Sequence, residues 1–179
     1  NKHNAARTQA LRPLFTITKS LFSETRREPL LDLIANAICG HLNCQQTAVY
    51  QMDAETRKFS TLVSKGMSAS QPMPGILSRM GKATTPLLVN ASGPGDTTQR
   101  AHLSDLKLGS VILVPVLRPN LHVVFFAARS AGDIPFHQAD LEMLQILARQ
   151  AVIAFENSRL YAEQLDYVAF YEKPLLKFD

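Results

Sequence analysis

With 179 residues, 46% of them apolar and 19% charged, the chain has the make-up of one globular domain with extensions, and at that size it needs no disulfide or metal staple. The net charge of +4 sits in residues 1–29, where Lys2, Arg7, Arg12, Lys19, Arg26 and Arg27 stand against Glu24 and Glu28; a nucleic-acid binder would show a denser basic face with interleaved aromatics, so none is expected. No apolar run is long enough to span a bilayer and no secretory leader is visible, which points to the cytoplasm; Asn1 rather than Met opens the chain, which reads as a piece of a longer protein.

The first segment, roughly Ala5 to Phe22, places Leu11, Leu14, Phe15, Thr18, Leu21 and Phe22 at helical spacing, with Pro13 opening or kinking the helix. SETRREP is a break. Pro29 suits a first helical position, and Leu30, Leu31, Ile34, Ile38 and Leu42 form the next amphipathic helix, which NCQQ ends. The period then changes. TAVYQMD (47–53) and RKFSTLVSKG (57–66) read as strands across a short polar turn. SASQPMPG is loop, ILSRMGK a short helix or turn, TPLLVN a third strand, and ASGPGDTTQ a loop rich in Gly and Pro. RAHLSDLKLG reads as a short helix ending at Gly109. SVILVPVLRPNLHVVFFAAR reads as two apolar strands, Ser110–Leu117 and Leu121–Arg129, joined at RPN. After SAGDIP, HQAD (137–140) opens a long helix with an acid in its first turn. Its apolar stripe runs from Leu144 through Leu147, Ala151, Phe155, Ser158, Tyr161 and Leu165 to Val168, with no Gly or Pro before Pro174. At about 1.5 Å per residue, the run to Glu172 would be roughly 50 Å long, more than the width of a small domain.

The two strands after Gly109 are apolar on both faces, and a strand of that kind is covered on both sides. The terminal helices supply one cover and residues 70–109 the other. The expectation is a three-layer α+β sandwich around an antiparallel sheet, with a loop and short-helix layer over a small cavity.

Three segments then resemble the GAF family of small-molecule sensor domains. LLDLIANAICGHLNCQQTAVYQMD is similar to its lead-in helix and first strand, and LGSVILVPV to its strand ending in a Pro-containing apolar run. FHQADLEMLQILARQAVIAFENSRLY is similar to its closing helix through Phe136, Asp140, Leu144, Ala148, Ala151, Ala154, Asn157, Leu160 and Tyr161. The resemblance spans about residues 11–165 in order. Two features depart from it: LHVVFFAAR holds no Gly where the family often has one, and the hairpin is RPN rather than an Asp-Gly type. The missing Gly, with Phe125 and Phe126, implies a bulkier wall near the cavity.

Catalytic signatures are absent. GILSRMGKAT has five residues between its glycines and Ala83 after Lys82, so it is no phosphate-binding P-loop. SDLK (104–107) fits S-x-x-K without its companion motifs, and there is no HExxH, GxSxG or GxGxxG. CGHLNC brings Cys39, His41 and Cys44 together, but a structural zinc site needs a fourth ligand, and the thiols are expected reduced and metal-free. The free methionine-R-sulfoxide reductases share the GAF fold and keep reactive cysteines in the middle loops, whereas residues 60–110 here contain no Cys. Covalent bilin would call for a Cys-His pair in that same segment, and haem for an axial His, for which only His102 and His122 are placed; no cofactor is expected.

The resemblance therefore implies a bacterial regulatory sensor and dimerisation module, not an enzyme. It would be fused to an output domain such as a histidine kinase, a nucleotide cyclase or a transcription activator. The division expected is a helical arm over residues 1–29, the GAF-like domain over 30–158 and a signalling-helix extension over 159–179. Tyr50, Ser110, Ile112 and Val114 are the candidate floor of the ligand cavity, with His102 on its lid. The stripe beyond Ser158 outruns its own domain, so a parallel homodimer is expected, with Leu14, Leu21, Tyr161, Leu165 and Val168 in the seam. The alternative is a degenerate GAF domain with a filled cavity, acting only as a structural dimeriser.

Overall fold

A computed structural model describes residues 27–67, 77, 80, 84–92 and 97–176, and of residues 97–99, 102 and 161–176 the backbone alone. In chain order the elements are α1 (Arg27–Leu42), β1 (Gln46–Met52), β2 (Phe59–Lys65), β3 (Leu87–Asn90), α2 (Thr97–Asp105), β4 (Leu108–Arg118), β5 (Leu121–Ser130) and α3 (Gln138–Leu176). The expected N-terminal helix with Leu14 and Leu21 lies outside the described residues. No helix among them is long and apolar enough to cross a membrane. The chain divides into two compact units: Ile34–Arg149, and a second whose described parts are residues 27–33 and 150–176.

The first unit is built on one antiparallel sheet in the order β2-β1-β5-β4-β3. β4 and β5 form its centre because they are apolar throughout: every residue from Ser110 to Pro115 and from Leu121 to Ala128 is buried. The register fixes the faces. Tyr50 stands opposite Val124, and Val124 opposite Pro115. Ala48, Tyr50, Val124, Phe126, Ala128, Val111, Leu113 and Val89 therefore share one face, where Leu77, Met80 and Leu103 complete a buried cluster. This is the middle-segment cover that the pattern calls for. Val49, Phe125, Ala127, Ile112, Val114 and Ser110 occupy the other face. There the lead-in to α3 arrives, with the Phe136 N–H donating to Ser110 Oγ at 3.0 Å.

Three boundaries shift from the sequence reading, each for a local reason. The helix before β4 stops at Asp105 rather than Gly109, because Lys107 takes a left-handed φ of 57°. A bulge between Leu108 and Ser110 then changes the phase of β4. The hairpin is a two-residue loop, Pro119–Asn120, with Arg118 paired to Leu121. α3 carries on through Pro174 to Leu176, 39 residues, about 58 Å.

Candidate functional site

The sequence grouped Tyr50, Ser110, Ile112 and Val114 as one floor. The structure does not bring them together: Tyr50 lies on the face with Leu77, Met80 and Leu103, and the other three lie on the opposite face. On β4, Val111, Leu113 and Pro115 are the residues that share Tyr50's face. Ser110 has a structural partner in the Phe136 N–H. His102 lies on α2, and its side chain is outside the described residues.

On Tyr50's face stands also His122, which the sequence reading weighs only as a haem ligand and leaves out of the cavity floor. Two places before Val124 on β5, it points the same way as Val124 and Phe126. Its ring meets the Phe59 ring edge-on at 6.1 Å, and it bonds to the Met80 backbone. Nε2 is buried without a hydrogen-bond partner. Burial holds the imidazole below its ordinary pKa, the Arg57 charge adds to this, and the Met80 bond opposes it. The Tyr50 ring meets Phe126 edge-on at 6.4 Å, and its hydroxyl is likewise buried without a partner. Burial pushes the phenol well above its ordinary range. Both groups are thus neutral at neutral pH. Buried polar atoms in folded proteins almost always have partners, because leaving one unpaired costs about 1–3 kcal/mol. Two such atoms on one sheet face mark the strongest candidate site.

A second, open recess of about 530 Å³ lies where α1 ends and α3 begins, lined by Asn43, Cys44, Gln45, Arg129, Asp133, Ile134, His137 and Asp140. Arg129 dominates it. Its guanidinium donates to the carbonyls of Leu42 (2.6 Å), Ile134 (3.0 Å) and Pro135 (3.4 Å), stands 3.9 Å from the Asp140 carboxylate and stacks 4.3 Å from the Phe136 ring centroid. A guanidinium so engaged acts as a clamp between elements rather than as an open anion site. Asp140 is also the acid expected in the first turn: it accepts from the His137 N–H at 2.8 Å, satisfying a free donor at the helix start.

The cysteines sit at the other helix end. Asn43 adopts a left-handed φ of 47°, and the Cys44 N–H donates to the Cys39 carbonyl at 3.1 Å. That six-to-one bond is a Schellman cap, which sets the residues at its two ends side by side. Burial, with the neighbouring Cys39 thiol, pushes Cys44 up to about 12. The consequence for stability has a definite sign. The unfolded thiol ionises near 9.0 and the folded one only near 12, so stability falls as pH rises through that window. Iodoacetamide at pH 8 is expected to leave Cys44 unmodified in the native protein and to label it on unfolding, and Cys44→Ala should flatten the alkaline limb of stability against pH. Rapid labelling of native Cys44 would show the thiol to be accessible after all. Among the described residues, no three His, Cys, Asp or Glu side chains converge as a metal site.

A five-stranded 2-1-5-4-3 sheet, with one face under a short-helix layer and the other meeting the start of the long helix, is an α+β sandwich of the kind the sequence resembles. The chain belongs to the GAF domain family, whose sequence profile matches residues 28–157. No curated protein sequence matches it. Among solved structures it is similar to the GAF domain of a phosphoenolpyruvate-protein phosphotransferase from Acinetobacter, at 18% identity and a TM-score of 0.63 over 87% of this chain and 95% of that one. It is similar to a GAF domain/HD domain protein from Geobacter sulfurreducens at 22% identity and a TM-score of 0.52, over 80% and 98% of the two chains. A third is residues 122 to 287 of a methyl-accepting chemotaxis protein, at 14% identity and a TM-score of 0.61 over 82% and 98%. At these identities the likeness is one of fold.

Proposed function

We propose that this chain is the sensor and dimerisation module of a larger bacterial signalling protein working in the cytoplasm. A small ligand binds over the sheet face that carries Tyr50. Its presence biases the packing of the helices, and α3 carries that bias to an output domain. Residues 30–158 are the sensor, 159–179 the outgoing helix and 1–29 a pairing arm. The observation that carries the reading is the length of α3: it continues to Leu176, nineteen residues past the end of the family match at 157. A helix that overruns its own domain by about 28 Å serves best as a connector. The similar folds in a methyl-accepting chemotaxis protein and in the GAF domain of a phosphotransferase are in keeping with such a module. A histidine kinase, a nucleotide cyclase or a transcription activator would suit the far end.

The stripe along α3 favours pairing. Leu147, Ala151, Ala154, Ser158, Tyr161, Leu165 and Val168 alternate steps of four and three, the spacing of a coiled-coil seam. The first four are buried within the chain. Tyr161, Leu165 and Val168 continue the series along the outgoing helix, and a second copy in parallel is the partner that a two-fold interface provides. Sedimentation at micromolar concentration tests this. The wild type is expected to sediment as a dimer, and Leu165→Glu with Val168→Glu to dissociate it without unfolding the domain. A monomeric wild type, or an unaffected double variant, would overturn the seam.

The alternative of a filled cavity, with the chain a pure dimeriser, draws on Phe126, which is buried on Tyr50's face. Phe125, the other bulky residue of that argument, lies on the opposite face and does not bear on it.

A further inference from the structure

Tyr50 and His122 constrain the chemistry of what binds. Both are buried, Tyr50 completely and His122 with 9% of its surface exposed, yet each leaves one polar atom unpaired. They are diagonal neighbours across the β1–β5 ladder, since Tyr50 opposes Val124 and His122 lies two residues before it. In the neutral imidazole with its proton on Nδ1, His122 Nε2 is a buried lone pair open to a donor. The Tyr50 hydroxyl can donate and accept. The cluster around them is apolar: Val124, Phe126, Leu113, Leu77, Met80 and Leu103. Such a lining disfavours an ionised ligand, because a charge buried among apolar groups is costly, and the one cation that acts on His122, Arg57, is exposed and outside the cluster. Two further rings stand edge-on here, Phe59 at His122 and Phe126 at Tyr50, so the polar atoms are set among aromatic side chains, with which an aromatic ligand can make the same edge-to-face contact.

Resting on the sensor reading above, we infer that the ligand is a small, neutral aromatic molecule bearing an N–H or O–H group, of the phenol or indole class. Its donor is accepted by His122 Nε2, and the Tyr50 hydroxyl bonds its polar edge. His122 and Tyr50 are then the specificity-determining residues. The unpaired atoms are what the free protein keeps ready for the ligand, and binding satisfies them.

The test uses four probes on the whole chain: phenol and indole, toluene as an aromatic without a donor, and benzoate as a charged one. Ligand-observed NMR and thermal unfolding report binding. Phenol or indole is expected to bind and to raise the melting temperature, with toluene and benzoate at least tenfold weaker. Tyr50→Phe, which removes only the hydroxyl, and His122→Phe, which keeps an aromatic ring against Phe59, should each weaken binding at least tenfold while the free variants still unfold cooperatively. Toluene binding as well as phenol, or phenol binding both variants as well as the wild type, would overturn the proposal. So would the absence of any binding by phenol and indole. The sensor reading fails separately: a broad fragment set would have to yield no ligand at all. Fragments that bind but ignore both substitutions would sink the inference about Tyr50 and His122 and leave a sensor in place.

Discussion

Arg129→Ala is expected to destabilise the protein by about 2–3 kcal/mol, a fall of roughly 5–10 °C in melting temperature. The residue joins three pieces of chain far apart in sequence: the last carbonyl of α1, the loop from Ile134 to Pro135, and the first turn of α3. Removing it leaves the Leu42 carbonyl without its 2.6 Å partner and uncovers the Phe136 ring, which is 1% exposed in the fold. The loss of hydrogen bonds to a charged donor dominates, and the lost cation–π stacking adds a smaller part. The Asp140 contact, at 3.9 Å and partly in solvent, adds little on its own. Lysine cannot replace the arginine, because a single ammonium does not span several carbonyls and a ring face at once. Thermal unfolding of Arg129→Ala, Arg129→Lys and Asp140→Asn separates these terms. The first two should fall together and the third should stay within about 1 kcal/mol of the wild type, since asparagine still accepts from the His137 N–H. Full rescue by lysine would mean that charge alone, rather than the forked geometry, holds the junction.

Much of the fold was legible because its strongest elements have one unambiguous period. α1 and α3 repeat apolar residues at helical spacing, and the stretch from Leu108 to Ser130 is apolar enough to require cover on both faces. The phase of β4 was not legible for the same reason. When Val111, Ile112, Leu113 and Val114 are all buried, alternation carries no information about which of them face the short-helix layer. Only the register across β5 decides it, and a one-residue bulge near Gly109 alters that phase locally. His122 is weighed from the sequence only as a haem ligand, and not as part of the floor, for a related reason. A lone histidine on a strand has no signature until its pairing is known, although the two-residue loop at Pro119–Asn120 fixes its cross-strand partner as Leu117. The cysteine pairing was within reach, since a left-handed Asn43 at the helix end predicts a contact between the residues flanking the cap. The end of α2 was hidden because Lys107 adopts a left-handed φ that lysine rarely takes.

Gly66→Ala should be the more damaging of the single-residue changes considered, at about 3 kcal/mol or more. Two costs coincide there. The backbone has φ +71°, a conformation that costs a residue with Cβ about 1–2 kcal/mol. A Cβ built on it would also collide with the backbone carbonyl oxygen of Gln45, which no rotamer change can move aside. Relief would require the end of β2 to part from the start of β1, where Thr47 pairs with Lys65 and its hydroxyl donates to the Phe126 carbonyl at 2.7 Å. That strand leads directly to Tyr50, so the strain would reach the candidate site. Two other glycines separate the terms. Gly132 has φ +96° with nothing within 4 Å of the added carbon, so Gly132→Ala should show backbone strain alone, about 1–2 kcal/mol. Gly40 lies inside α1 with open space around it and no left-handed φ, so Gly40→Ala should stabilise by about 0.5–1 kcal/mol. Urea unfolding of the three variants gives the ranking. If Gly66→Ala proves no worse than Gly132→Ala, the Gln45 carbonyl can yield, and the junction between β1 and β2 is softer than its pairing implies.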